Sequence, residues 1–214
     1  LAAALRPVSA SGPTGRVCLV TGASPRRHAA IHDALAEQGL DPLCIAVPGE
    51  PGADAAQQWA AQAREAGCSV VVAVGGGSAM DAGKAVAALL TNAGDIYEHL
   101  EVVGRGRPLV NRPAPLVLAP TTAGTGSEAT MNAVLTAEEH GVKVSLRSPA
   151  MLADAAVVDP ELTHGMPPAV TASTGMDALT QLVEALVSAK ATPMTRALCR
   201  EGLPRAARAL PRAY

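Results

Sequence analysis

The segment Val70-Val-Val-Ala-Val-Gly-Gly-Gly-Ser78-Ala-Met-Asp81-Ala-Gly-Lys84 constrains the fold more than any other, because it runs a buried strand through a glycine turn into a helix. Val70 to Val74 are apolar and mostly β-branched, which predicts a central strand covered on both faces. Gly75, Gly76 and Gly77 admit backbone conformations closed to other residues and remove side chains that would hold a ligand away. Ser78, with Asp81 three residues later, predicts an N-cap and capping box for a helix carrying Lys84. The free amides and positive dipole end of that helix would then face the space above the strand, which favours an anion such as a phosphate. The plainer alternative is that a glycine turn and a capping box do no more than start a helix. The segment matches neither common nucleotide fingerprint: G-x-G-x-x-G would need glycine at Met80, and Walker A would need glycine at Ser78 and a hydroxyl residue at Ala85.

On either side of this segment the chain has a strand–helix rhythm. Val17 to Thr21 reads as a strand, followed by the Gly22-Ala-Ser24-Pro25 turn and a helix from about Arg26 to Gln38 that stops at Gly39. Leu43 to Val47 reads as a strand, Pro48 to Gly52 as a loop, and Asp54 to Ala66 as a helix ending at Gly67. Such alternation predicts an α/β fold: a parallel sheet forming a nucleotide-binding domain, with helices on both faces. Ligands of such sheets gather at the carboxyl ends of the strands, where the Gly22 and Gly75 turns both fall. Thr91 to Pro115, rich in Gly, Pro and Arg, reads as a long surface excursion. Leu116 to Ala119 returns as a strand and opens into Pro120-Thr-Thr-Ala-Gly-Thr-Gly-Ser-Glu128, whose hydroxyl groups would stand at the same edge. Met131 to Thr136 and Val142 to Leu146 read as a hairpin, and Ala155 to Val158 as a last short strand. Beyond Pro167 the pattern is helical only, over Pro168 to about Ser188 and Pro193 to Ala209. We therefore expect a dinucleotide-binding α/β domain over 1–164 and the first helices of an all-helical second domain over 165–214.

The aromatic content decides what fills the core: with no Phe, one Trp and two Tyr, it must be built from Ala, Val and Leu. A net charge of -2 with Arg interleaved among Asp and Glu leaves no basic face, so nucleic acid is not an expected partner. No apolar run approaches the length of a membrane span, and no secretory signal layout opens the chain, so no membrane partner is expected either. Cys18, Cys44, Cys68 and Cys199 form no C-x-x-C pair, which suggests reduced thiols and a cytoplasmic location. The opening at Leu1 without an initiator Met suggests a fragment.

Three motifs in order, Gly75-Gly-Gly-Ser-Ala-Met-Asp81-Ala-Gly-Lys84, Pro120-Thr-Thr-Ala-Gly-Thr-Gly-Ser-Glu128 and Gly175-Met-Asp177-Ala-Leu-Thr180, resemble the iron-containing (group III) alcohol dehydrogenases of the dehydroquinate synthase-like fold. Asp159-Pro160 and the Gly165-Met-Pro-Pro168 lead-in fit the same pattern. The resemblance implies an NAD(P)-dependent oxidoreductase acting on a small-molecule alcohol or aldehyde, and a homo-oligomer, since full-length relatives are often dimers or larger. It implies that Gly76, Gly77, Ser78 and Asp81 hold the pyrophosphate and neighbouring ribose. Thr121, Thr122 and Thr125 would line the path to the nicotinamide, and Lys143 would lie near a cofactor ribose.

Members that prefer NAD often carry Asp where Gly22 stands. Here Gly22 and Ser24, with Arg26 and Arg27 beyond, would leave a 2′-phosphate unrepelled, so NADP is expected ahead of NAD. The family resemblance also implies a divalent metal, Fe or Zn, held by an Asp and a His four residues later on one helix face with two further histidines downstream, which would lie beyond Tyr214. This chain has Asp177 but Gln181, a poor ligand for either ion, so metal dependence is an open expectation. A bound metal would polarise the substrate oxygen, and no catalytic residue is assigned. The alternatives are a maleylacetate- or phosphonoacetaldehyde-type reductase, a cyclase-like synthase of the same superfamily, and a non-catalytic nucleotide-binding fragment.

Overall fold

The computed structural model describes residues 16–24 and 29–214. Its main sheet contains β1 (Arg16–Gly22), β2 (Leu43–Val47), β3 (Cys68–Gly75), β4 (Leu116–Pro120) and β7 (Ala155–Ala156). All pairs are parallel, in the order β2-β1-β3-β4-β7. The helices between them are α1 (Ala29–Ala36), α2 (Ala53–Glu65) and α3 (Gly77–Thr91). The expected α/β fold is therefore present. β3 is central and buried over nearly its whole length, as its unbroken apolar run requires.

Helix α3 organises the packing. Met80, Ala82, Val86 and Ala87 meet sheet residues Cys18, Val20, Val71, Ala73, Leu116 and Leu118 in one core cluster. Ala85, Ala88 and Leu89 belong to a second cluster with α2 and with the antiparallel hairpin of β5 (Asn132–Ala137) and β6 (Val142–Arg147). A helix buried on both sides must be apolar nearly all round, and α3 is. The buried face of α2 is Ala53, Ala56, Ala60 and Ala63, so its backbone approaches its neighbours closely without aromatic bulk.

Thr91 to Pro115 differs from the surface excursion its composition suggests. Ile96 and Leu100 are fully buried in the second cluster. Asn92 fastens the segment: its Oδ1 accepts from Val110 N at 3.0 Å and Asn111 N at 2.8 Å, while its Nδ2 donates to Ala88 O at 2.8 Å. A few apolar anchors and one satisfied amide thus order a stretch whose average composition is that of a loop.

The described residues form two compact units. The first holds the sheet, its helices and the hairpin (up to Pro120, and Ser127–Asp159); the second holds Thr121–Gly126 and Pro160–Tyr214. In the second, α4 (Pro168–Val187) and α5 (Pro193–Ala213) pack together. Arg26, Arg27 and the start of the helix expected there lie outside the described residues.

All four cysteines are free, and Cys18 is fully buried between β2 and β3. Burial, reinforced by the neighbouring Cys68 and Cys44 thiols, pushes the Cys18 thiol up to about 12 from 9.0. The folded state therefore keeps a proton that the unfolded chain gives up above pH 9. Its contribution to stability is intact below pH 9 and is lost as pH rises towards 12, at up to ~1.4 kcal/mol per pH unit. Denaturant unfolding between pH 8 and pH 10 should show this decline, and Cys18→Ala should flatten it.

Candidate functional site

The two glycine turns meet because their strands are neighbours. Parallel pairing of β1 with β3 sets Thr21 abreast of Val74, so Gly22 and Gly75 leave the sheet side by side at its carboxyl edge. A Cβ at Gly75 would lie 2.6 Å from Ala79 Cβ and 3.3 Å from Gly22 N, so only glycine allows the turn to fold this tightly. The space a Cβ would take at Gly22 is open, with nothing within 4 Å. Beside it the Thr21 hydroxyl is buried without a hydrogen-bond partner. Open space above the Gly22 backbone, with an orphaned hydroxyl on the neighbouring residue, leaves room for an anionic ligand.

The helix start differs from the expected capping box. Gly76, with extended backbone, is the N-cap of α3; no side chain caps the helix, and Ser78 lies one turn position inside it. The first amides are therefore left for a ligand, and Gly76, Gly77 and Ser78 are only partly covered. The reason is that Asp81 is engaged elsewhere. Its Oδ1 accepts from Ser127 Oγ at 2.6 Å and pairs with Lys84 Nζ at 3.0 Å, and its Oδ2 accepts from Val134 N at 3.1 Å.

Lys84 is the centre of this network. It is fully buried, and its ammonium also donates to Ser127 O at 2.9 Å, Thr130 Oγ1 at 2.8 Å and Asn132 O at 2.6 Å. Burial lowers its pKa, while the charge and hydrogen bond of Asp81 oppose the shift. Three N–H groups facing four oxygens satisfy the charge well enough for it to stay inside. Sequence reasoning placed Lys84 on the helix but gave it no role. The signal was there: a lysine flanked by Ala82, Ala85, Val86, Ala87 and Ala88 has no solvent face to occupy.

Lys143, on β6, is exposed and ion-paired with Glu50 Oε1 at 2.5 Å. Glu50 follows β2, and Thr136 N donates to Pro51 O at 2.9 Å, so the loop after β2 is fixed to the hairpin. Glu50 was not anticipated from the sequence. Ser24 lies just beyond the Gly22 turn and is exposed.

Thr121, Thr122 and Thr125 belong to the second unit. Thr122 keeps a buried hydroxyl without a hydrogen-bond partner. Within the same unit a Cβ at Gly124 would lie 2.2 Å from Thr174 O, so the loop backbone rests directly on α4. About two turns further along α4, Gln181 Nε2 donates to Gly124 O at 3.2 Å and to Thr125 O at 3.3 Å. Asp177 is half-buried one turn before it.

A sequence model described as iron-containing alcohol dehydrogenase matches residues 3–160, well over half of the chain. The chain belongs to the iron-containing alcohol dehydrogenase family. A 4-hydroxybutyrate dehydrogenase of Cupriavidus necator is 39% identical over 74% of this chain and 41% of its own length. A solved 1,3-propanediol oxidoreductase superposes with a TM-score of 0.85 at 36% identity, over 93% of this chain and 52% of that one. A sulfoacetaldehyde reductase from Bifidobacterium kashiwanohense, solved in complex with NAD+, gives a TM-score of 0.84 at 30% identity, over 97% of this chain and 55% of that one. The chain thus spans about two fifths of the curated relatives it matches.

The family's two non-protein groups fare differently on this chain. A nicotinamide dinucleotide fits the first unit, where the open space at Gly22 lies beside the Gly75 turn that leads into uncapped helix amides. For a divalent metal, α4 offers the Asp177 carboxylate, while the Gln181 carboxamide does not fit the ligand role because its NH2 already serves two carbonyls. Among the described residues no group of three or more His, Cys, Asp or Glu is arranged to hold an ion.

Removing the ammonium tests how much the first unit leans on it. Lys84→Met strands the Asp81 carboxylate beside apolar groups and should cost ~3–5 kcal/mol in urea unfolding. Asp81→Asn keeps one acceptor oxygen, for Ser127 or for Val134 but not both, and should cost less, about 1–3 kcal/mol.

Proposed function

We propose that this chain carries the cofactor-binding part of an oxidoreductase that moves a hydride between a nicotinamide dinucleotide and an alcohol/aldehyde pair. The observation that carries the reading is the junction of the Gly22 and Gly75 turns over an α3 N-terminus that no side chain caps. The amides of Gly77 and Ser78, with the positive helix end, would receive the diphosphate, Gly76 allowing close backbone approach. The open space at Gly22, with Ser24 beyond it, would receive the adenosine ribose. Asp81 acts from behind, through Lys84 and Ser127, by holding the start of the hairpin against α3. Lys143, loosely held by exposed Glu50, is free to turn to a ribose hydroxyl. Thr121, Thr122 and Thr125 are assigned to the nicotinamide half, on the family resemblance and on the unpartnered Thr122 hydroxyl.

The dinucleotide, when bound, supplies the hydride or accepts it; the residues above orient it and exclude water from its diphosphate. Relatives whose names record 4-hydroxybutyrate, 1,3-propanediol and sulfoacetaldehyde chemistry support an alcohol or aldehyde substrate. Four free thiols fit a reducing, cytoplasmic setting. Among the described residues no helix is long and apolar enough to cross a membrane.

Titration with NADH and NADPH, followed by nicotinamide fluorescence, should give saturable binding, and none at millimolar concentration would end this reading. Because a Cβ at Gly22 meets open space, Gly22→Asp should fold normally. It should shift the NADPH-to-NADH affinity ratio towards NADH by about tenfold, the size of one charge repelling a 2′-phosphate.

A further inference from the structure

We propose that Gln181 is a positioning residue that fastens the Thr121–Gly126 loop to α4, a clasp that takes this side chain out of any metal-ligand set. Both ends of the side-chain amide face the loop. The Nε2 group donates to Gly124 O at 3.2 Å and Thr125 O at 3.3 Å, and Oε1 lies 3.6 Å from the point a Cβ would occupy on Gly126. The loop is brought there by its glycines: Gly124 lets the backbone touch Thr174 O, and Gly126 takes φ 63°, a left-handed conformation. Two carbonyls therefore converge on one carboxamide, a neutral group that presents two N–H donors from a single nitrogen.

This arrangement and metal binding compete for the same side chain. Turning Oε1 towards an ion beside Asp177 would rotate the NH2 away from both carbonyls and undo the clasp. An imidazole in the same place would coordinate through one nitrogen and keep a single N–H, too few for two carbonyls. A neutral carboxamide is also a weak ligand for iron or zinc. Gln181 thus gives the loop a fixed attachment that does not depend on metal loading. The inference uses the proposed function only for the expectation of a metal on this helix.

The test measures two things on the 214-residue chain, neither requiring turnover. After incubation with ferrous iron or zinc and desalting, Gln181→Ala should carry the same metal content as the wild-type chain, because the carboxamide is no ligand. In hydrogen exchange, Gln181→Ala should expose residues 121–126 about fivefold faster, with α5 unchanged, because local opening reports the lost clasp. Gln181→His should not restore protection. One equivalent of iron or zinc on the wild type, released by Gln181→Ala, would overturn the proposal, as would unchanged loop exchange in that variant. Failure of the nucleotide titrations would instead strike the proposed function and leave both readouts standing.

Discussion

A buried ammonium is the constraint on which the first unit depends. Lys84 has no exposed surface, so each of its protons must find an oxygen, and the oxygens come from Asp81, Ser127, Thr130 and Asn132. Ser127, Thr130 and Asn132 run from the end of the Thr-rich loop into the first strand of the hairpin, a stretch with little apolar content of its own. Desolvating one charge on α3 thereby dictates where that stretch must run. The hairpin can then lay Ala133, Leu135, Val144 and Leu146 on α2 and α3. Hydrophobic burial holds the hairpin down, but the ammonium sets its register along the helix.

The fold was legible because its signals are local. Val70 to Val74, Gly39, Gly67 and Gly141 mark strand, stops and turn through propensity alone, and the three glycines adopt positive φ as their placement required. The glycine turns at the sheet edge were legible for the same reason. What could not be read was long-range. Asp81 looked like a capping residue because sequence shows spacing and not the direction of a carboxylate. Its real partners, Ser127 and Val134, lie dozens of residues away. Glu50 as the partner of Lys143, and the burial of Ile96 and Leu100 within a Gly/Pro-rich stretch, depend equally on contacts that no local window contains.

Small residues carry consequences at both units. Alanine lines the interface of α2 with α3, and glycine lets the Thr121–Gly126 loop touch α4, so backbones come close where larger side chains would space them apart. Close packing gains dispersion contacts but leaves few rotamers to adjust, and a substitution that adds one carbon must move backbone. At Gly75 and Gly124 the added carbon would meet an atom within 2.6 Å and 2.2 Å respectively. The motif glycines of this chain are therefore held in place by sterics as much as by any ligand.

The Asp81–Lys84 pair also resolves an apparent conflict in the first motif. A carboxylate one turn inside a helix whose N-terminus is to receive a diphosphate would, if unpaired, repel it and cancel the helix dipole. Lys84 at 3.0 Å neutralises that charge from the interior, and Ser127 and Val134 occupy the remaining lone pairs. The pair as a whole presents no net charge to the turn. The amides of the glycine turn can then act on an anion without an opposing field, and the acid can serve the hairpin while standing next to an anion site.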